Sequence, residues 1–174
     1  GKSSLTLDKR IKIKNHLSEF IDGLPNIPPV ASEIFGDEGP VNHNGKKIKT
    51  SKFGYDFEGI VKGSSGDYWM TDEYGPSLIR LSPDFQIKQR FYPQVPRELR
   101  GYRWGSATLP KVFAYRRKNR GFEGVASYNG KLFVFLQSSI KKHSKAKRTV
   151  LVLEFDEALE KSTGIFAYQM SGKN

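Results

Sequence analysis

Four carboxylates stand where their chemistry could be shared. Glu58 lies in Asp56-Phe57-Glu58-Gly59-Ile60-Val61, Asp72 and Glu73 close the run Tyr68-Trp69-Met70-Thr71-Asp72-Glu73, and Glu123 lies in Gly121-Phe122-Glu123-Gly124-Val125. Carboxylates brought to one mouth do one of two jobs: they ligate a hard cation, or they pass protons as general acid and base. Calcium takes roughly six to eight oxygens. Glu58, Asp72, Glu73 and Glu123, with Gln137 and turn carbonyls, would supply several of them. Beside the second motif runs Tyr115-Arg116-Arg117-Lys118-Asn119-Arg120, which sets guanidinium groups next to Glu123. In the competing reading, Glu58 and Glu123 are architecture, buried and paired with arginine or backbone amides.

The elements that must position these groups come in two copies. Aligning Glu58 on Glu123 puts Phe57 on Phe122, Gly59 on Gly124, and Tyr68-Trp69-Met70 within about one residue of Leu132-Phe133-Val134. Each copy continues in step, through Leu78 to Leu81 and Ile87 to Tyr92 in the first, and through Val150 to Phe155 and Ile165 to Tyr168 in the second. The runs are short, rich in β-branched and aromatic residues, and punctuated by Gly, Ser, Asn, Asp and Pro, so each copy reads as four strands. Gly63 to Asp67, Tyr128-Asn129-Gly130 and Ser82-Pro83-Asp84 are the expected turns. Repeated four-stranded units are the blades of a β-propeller, each burying its faces against its neighbours. The expected class is all-β and propeller-like: a blade over residues 50–92, a connecting loop over 93–119 and a second blade over 120–170, with residues 1–49 a partial strand and linker. Asp72 and Glu73 have no carboxylate counterpart in the second copy, which carries Gln137-Ser138. Polar residues that break a repeat are the better functional candidates.

Length and composition fit that reading. The 174 residues leave room for one domain with a core, and 37% hydrophobic and 13% aromatic content suits an all-β fold. No run approaches the ~20 apolar residues of a membrane helix, and no signal peptide is visible. The absence of cysteine excludes a disulfide scaffold and a cysteine nucleophile. The net charge of +11 is bunched at Lys9 to Lys14, Lys46 to Lys52, Arg97 to Arg103, Arg116 to Arg120 and Lys141 to Arg148. Such a surface attracts anions. A nucleic-acid partner is disfavoured, because no recognition helix or aromatic strand motif accompanies the charge.

Weaker signals are quickly placed. His16, His43 and His143 lack metal-ligand spacing, Ser106, Ser138 and Ser139 lack a Gly-x-Ser-x-Gly setting, and Gly63 to Gly66 opens no phosphate-binding helix. At the N-terminus, Arg10 to Lys14 alternates like a strand, Leu17 to Leu24 is amphipathic, and Pro25 to Pro29 forbids a central strand. Ala31 to Phe35 reads as a strand and Gly36 to Pro40 as a turn.

Together, Asp56-Phe57-Glu58-Gly59-Ile60, Thr71-Asp72-Glu73-Tyr74-Gly75-Pro76, Leu109-Pro110 ahead of Arg116 to Gly124, and Leu136-Gln137-Ser138 resemble the phytase-like family, also described by esterase-like activity of phytase. The resemblance spans roughly residues 50–170. It implies a secreted or periplasmic β-propeller that hydrolyses phosphate esters at an acidic, calcium-using site. Carried onto this sequence, Glu58, Asp72, Glu73 and Glu123 would hold the metal. Asp72, Glu73 and Glu123 would serve catalysis, while Arg116, Arg117, Arg120 and Gln137 would hold an anionic, phosphorylated substrate. The alternative is a non-catalytic module that binds an anionic ligand or a protein. A closed ring needs about four to eight blades, so two blades imply a longer protein or self-association.

Overall fold

Among the described residues, short apolar runs broken by glycine and asparagine turns become nine strands in two sheets. The computed structural model describes residue 4 and residues 6–26, 39–95, 104–140 and 148–171. The first sheet has the order β1 (Phe57–Lys62), β2 (Tyr68–Asp72), β3 (Ser77–Leu81), β4 (Ile87–Pro93) and β5 (Ser106–Leu109). The second has β6 (Phe122–Tyr128), β7 (Lys131–Leu136), β8 (Thr149–Asp156) and β9 (Lys161–Gln169). Each contains four consecutive antiparallel strands, as the repeat requires. Asn129 and Gly130 both take positive φ, 48° and 72°, which lets a two-residue turn join β6 to β7. The fold is all-β, and among the described residues no helix is long and apolar enough to cross a membrane.

The connection between the copies differs from the loop expected over 93–119. Ser106–Leu109 joins the first sheet parallel to β4, pairing Phe91 with Ser106 and Pro93 with Leu109. A short 3-10 helix, Lys111–Tyr115, then buries Phe113 and Ala114. The first piece gives the first sheet a fifth strand, and the second adds Phe113 to the core against Phe122.

The core lies between the sheets. Trp69, Leu78 and Phe91 meet Leu132, Val134, Leu153 and Phe155, with Leu109 and Phe113 closing one end. Phe155 packs on Trp69 and Phe91 at centroid separations of 5.6 and 5.0 Å. Each such fully buried side chain contributes about 1.5–3 kcal/mol, so this face holds the sheets together. Polar ties reinforce it. Glu157, buried at the β8–β9 turn, accepts hydrogen bonds from the Ser64 amide at 2.9 Å and the Ser127 hydroxyl at 3.2 Å. Arg80 bridges Asp67 and Glu160, each at 2.6 Å.

The two outward faces are unlike. On the first sheet, Tyr55, Ile79, Leu81 and Ile87 are covered by Ile13, Ile21, Phe85 and Trp104, and the Trp104 indole donates to the Tyr55 hydroxyl at 2.8 Å. The strand expected at Arg10 to Lys14 is represented by isolated bridges from Lys14 to Phe20 and Gln86. Ile13 turns inward to cover the sheet, so this segment serves as a lid over that face. On the second sheet, Phe135, Phe166 and Tyr168 stand 39–59% exposed. The strand read at Ala31 to Phe35, most of the turn after it, and most of the basic runs at Arg97 to Arg103 and Lys141 to Arg148 lie outside the described residues.

Candidate functional site

The repeated Phe-Glu-Gly motif places a glutamate at an irregularity in the first strand of each sheet. The β1–β2 register slips by one residue between Phe57 and Ile60, and the β6–β7 register slips likewise between Phe122 and Gly124. A bulge re-aims the side chain it carries. Here it re-aims Glu58 and Glu123 at equivalent positions. The two strands run close together: the Thr71 hydroxyl accepts from the Gly59 amide at 2.8 Å and donates to the Glu123 carbonyl at 3.2 Å.

In the first sheet, Asp56, Glu58 and Glu73 each offer a carboxylate oxygen within 4.8 Å of the others. The Glu73 amide donates to the Asp56 carbonyl at 2.9 Å, which fixes the spacing of two members through the backbone. Glu58 is exposed and Asp56 half-buried, whereas Glu73 is only 4% exposed. Glu73 Oε1 makes no hydrogen bond, and Arg120 Nη1 stands 3.8 Å away. Burial above all, then the charges of Glu123, Asp56 and Glu58, push the Glu73 carboxyl up to about 7 against the pull of Arg120. Desolvation, then the Glu123 and Asp56 charges, also raise Glu58.

The second sheet contains the same pair with one atom group exchanged. The Gln137 amide donates to the Gly121 carbonyl at 2.9 Å, matching Glu73 and Asp56, and Phe122 pairs with Leu136 where Phe57 pairs with Asp72. Gln137 is therefore the counterpart of Glu73, and Leu136 that of Asp72. Gln137 Nε2 donates to Glu123 Oε1 at 3.1 Å, leaving Glu123 Oε2 and Gln137 Oε1 buried without a hydrogen-bond partner. One copy satisfies its carboxylate with an amide, while the other sets carboxylate against carboxylate. An all-oxygen cluster of this kind fits a hard divalent cation.

The other expected site residues separate by burial. Asp72 stands apart from the triad and is fully buried: its oxygens accept from the Asp56 amide at 2.9 Å, the Ser77 hydroxyl at 2.7 Å and Arg90 Nη2 at 3.1 Å. A fully buried carboxylate requires such partners. Asp72 thus orients Asp56 from behind and presents no oxygen to the triad. Arg116 is 2% exposed, so its guanidinium is not offered to a ligand in solution. Arg117 is exposed, and the Arg120 side chain, 49% exposed, stands beside Glu73 at the acidic group. Asp56 was absent from the expected set, although its place two residues before Glu58 on an extended run is the signal for a shared face.

Comparison with known proteins places this arrangement. A protein of Arthroderma benhamiae described as an uncharacterized secreted protein is 30% identical over 157 residues, an alignment covering 77% of this chain and 29% of the fungal one. A solved structure from Bacteroides caccae, of unknown function, overlaps 74% of this chain and 53% of its own at 7% identity, with a TM-score of 0.26 that carries no argument. Residues 5–174 match the family described as phytase-like, esterase-like activity of phytase. A match over nearly the whole length, on the residues that form the paired bulges, makes this chain a member of the phytase-like family.

Proposed function

We propose that the acidic cluster serves cation-assisted hydrolysis of phosphate esters, with Asp56, Glu58 and Glu73 as the residues that would hold calcium. The observation carrying this reading is the triad itself: three carboxylates within 4.8 Å, one of them buried with an oxygen that makes no hydrogen bond. When bound, a divalent cation polarises a phosphoryl oxygen and lowers the pKa of a water molecule it holds. Arg120 and Arg117 bind the remaining phosphoryl oxygens through charge-assisted hydrogen bonds. Glu123, outside the triad and with Oε2 free of hydrogen bonds, accepts the proton of the attacking water. The new P–O bond forms as the bond to the alcohol oxygen breaks, and the proton leaves with the alcohol.

Asp72 and Arg116 take no direct part. Asp72 holds Asp56 in place through its backbone amide, and Arg116 belongs to the interior. Family membership supports the hydrolase reading, and the secreted description of the fungal relative supports an extracellular setting. The chain spans 29% of that relative's length, so other parts of a longer protein would complete the substrate's surroundings.

The test is turnover of p-nitrophenyl phosphate by the purified chain, with and without calcium, alongside a Glu58→Gln/Glu73→Gln double variant. Calcium-dependent turnover that disappears in the variant and under a chelator is the expected result. Turnover indifferent to both would overturn the reading. Calcium binding without turnover would point to an anion-binding module.

A further inference from the structure

The segment lying over the first sheet is a hairpin. Its two arms meet at the bridge between Lys14 and Phe20, where the Ile21 amide donates to the Ile13 carbonyl at 3.4 Å. Ile13 and Ile21 pack down onto the cluster of Ile79, Leu81 and Ile87. Strand alternation turns Lys12, Lys14 and Phe20 the other way, and the two ammonium groups stand 5.1 and 5.6 Å from the centre of the Phe20 ring. The Ile87 amide donates to the Lys14 carbonyl at 2.8 Å, which fastens the hairpin to the start of β4.

The tip of this hairpin holds an apolar side chain in water. Asn15, fully buried, closes the turn: its side-chain oxygen accepts from the Leu17 and Glu19 amides at 2.9 and 3.0 Å, and its own amide donates to the Glu19 carbonyl at 2.8 Å. Ser18 supplies the left-handed backbone of the turn, with φ at 64°. Turn apices ordinarily carry polar residues. Here Leu17 stands 57% exposed, and Phe20, on the returning arm, 60% exposed. Over residues 7–21, Lys9, Arg10, Lys12 and Lys14 are opposed only by Asp8 and Glu19. The outward side of the hairpin is therefore both basic and apolar, on a frame that its own hydrogen bonds fix.

We infer that this hairpin docks on an anionic lipid bilayer, with Leu17 and Phe20 entering the headgroup boundary and the lysines resting on the anionic headgroups. A lone exposed leucine would call for no partner. The partner is assigned by the combination: basic side chains draw in an anionic surface, and the apolar ones leave water only where that surface has hydrocarbon beneath it. A nucleic acid would answer the charge and leave Leu17 in water. The inference does not depend on the hydrolysis proposed above.

Cosedimentation of the purified chain with lipid vesicles tests this, in the presence of a chelator so that no calcium bridge between carboxylates and lipid contributes. Vesicles of phosphatidylcholine are compared with an equimolar mixture of phosphatidylcholine and phosphatidylserine. Binding should be confined to the anionic vesicles and should fall as salt is raised. Lys12→Gln/Lys14→Gln should lower the partition coefficient about 25-fold, at about fivefold for each charge. Leu17→Ser/Phe20→Ser should lower it at least about tenfold and keep the thermal midpoint of the unmodified chain, because both side chains face water in the free protein. Lys161→Gln, an exposed charge on β9 of the second sheet, should change nothing. Full binding by Leu17→Ser/Phe20→Ser would reduce the surface to a general polyanion site and overturn the inference, as would capture of duplex DNA with no binding to vesicles. Equal binding to neutral vesicles would remove the role assigned to the lysines, and binding to neither vesicle would sink the idea outright.

Discussion

Gln137 donates a hydrogen bond to Glu123 over 3.1 Å at the positions where the first sheet sets Glu73 beside Glu58. The chain thereby contains its own control: one carboxylate that an amide hydrogen-bonds and one that faces another carboxylate. Converting one into the other isolates what the difference does.

Glu73→Gln should recreate the second-sheet pair in the first. The amide would donate to Glu58, and the buried like-charge repulsion would vanish. Stability at neutral pH should rise by about 1–2 kcal/mol, the scale of one hydrogen bond made and one strained charge removed. Calcium affinity should fall at least tenfold. Urea unfolding and calorimetry on the same preparation measure both, and a variant that loses stability at neutral pH would show that the Glu73 charge is held by partners and not repelled.

The pH dependence carries the same signature. Glu73 is pushed from 4.5 up to about 7, mainly by burial. A carboxyl with a raised folded pKa favours the fold below its unfolded pKa and loses that advantage as pH climbs through the folded value. Metal-free protein should therefore lose roughly 2–3 kcal/mol between about pH 4.5 and 8. Asp67, held low by Lys88 and Arg80 against its burial, acts in the opposite sense and only below its ordinary value of 3.8. Saturating calcium should flatten the decline, and Glu73→Gln should remove it. A metal-free curve that rises across this window would contradict the buried, repelled state of Glu73.

Asp72→Ala should behave as a stability variant. It strands Arg90, a fully buried guanidinium, and removes the acceptor of the Asp56 amide. Breaking one side of such a pair costs about 3–5 kcal/mol. Denaturant midpoints give the value. A loss below about 1 kcal/mol would mean that the Arg90 charge finds water or another partner.

Arg120→Ala should move two affinities in opposite directions. Phosphate binding should weaken about tenfold, the equivalent of one charge-assisted hydrogen bond. Calcium binding should tighten, because the cation no longer competes with a guanidinium 3.8 Å from Glu73. Parallel titrations with inorganic phosphate and with calcium check the pair of shifts, and a common direction would show that Arg120 acts on the fold and not on the site.

Much of the architecture was legible in the residues. The two Phe-Glu-Gly motifs, the Gly and Asn-Gly turns and the β-branched runs announced two equivalent four-stranded units, and the paired bulges at Glu58 and Glu123 follow the same repeat. What was not legible depends on partners far along the chain. Ser106–Leu109 alternates polar and apolar residues over only four positions, too short a run to announce a strand that exists because it pairs with β4. Asp72 and Glu73 are adjacent and look alike in sequence, yet strand alternation sends one to Arg90 in the interior and the other to the cluster. The Arg116–Arg120 run reads as one basic loop. The burial of Phe113 and Ala114 just before it draws Arg116 inside and leaves Arg117 and Arg120 out. Asp56 needed only the two-residue period to be found beside Glu58, once the bulge was recognised.

The glycines at the seam act as a spacing gauge. A Cβ built on Gly121 would lie 2.1 Å from the Glu73 carbonyl oxygen, and one on Gly59 would meet Thr71 Oγ1 at 2.9 Å and the Glu123 carbonyl at 3.1 Å. Residue 121 therefore reports on the distance between the sheets without touching any carboxylate side chain. A relative with alanine or anything larger there must have moved its sheets apart, and with them the charges that face each other across the gap. Reading that one position in other members would separate chains able to keep the cluster closed from chains that have given it up.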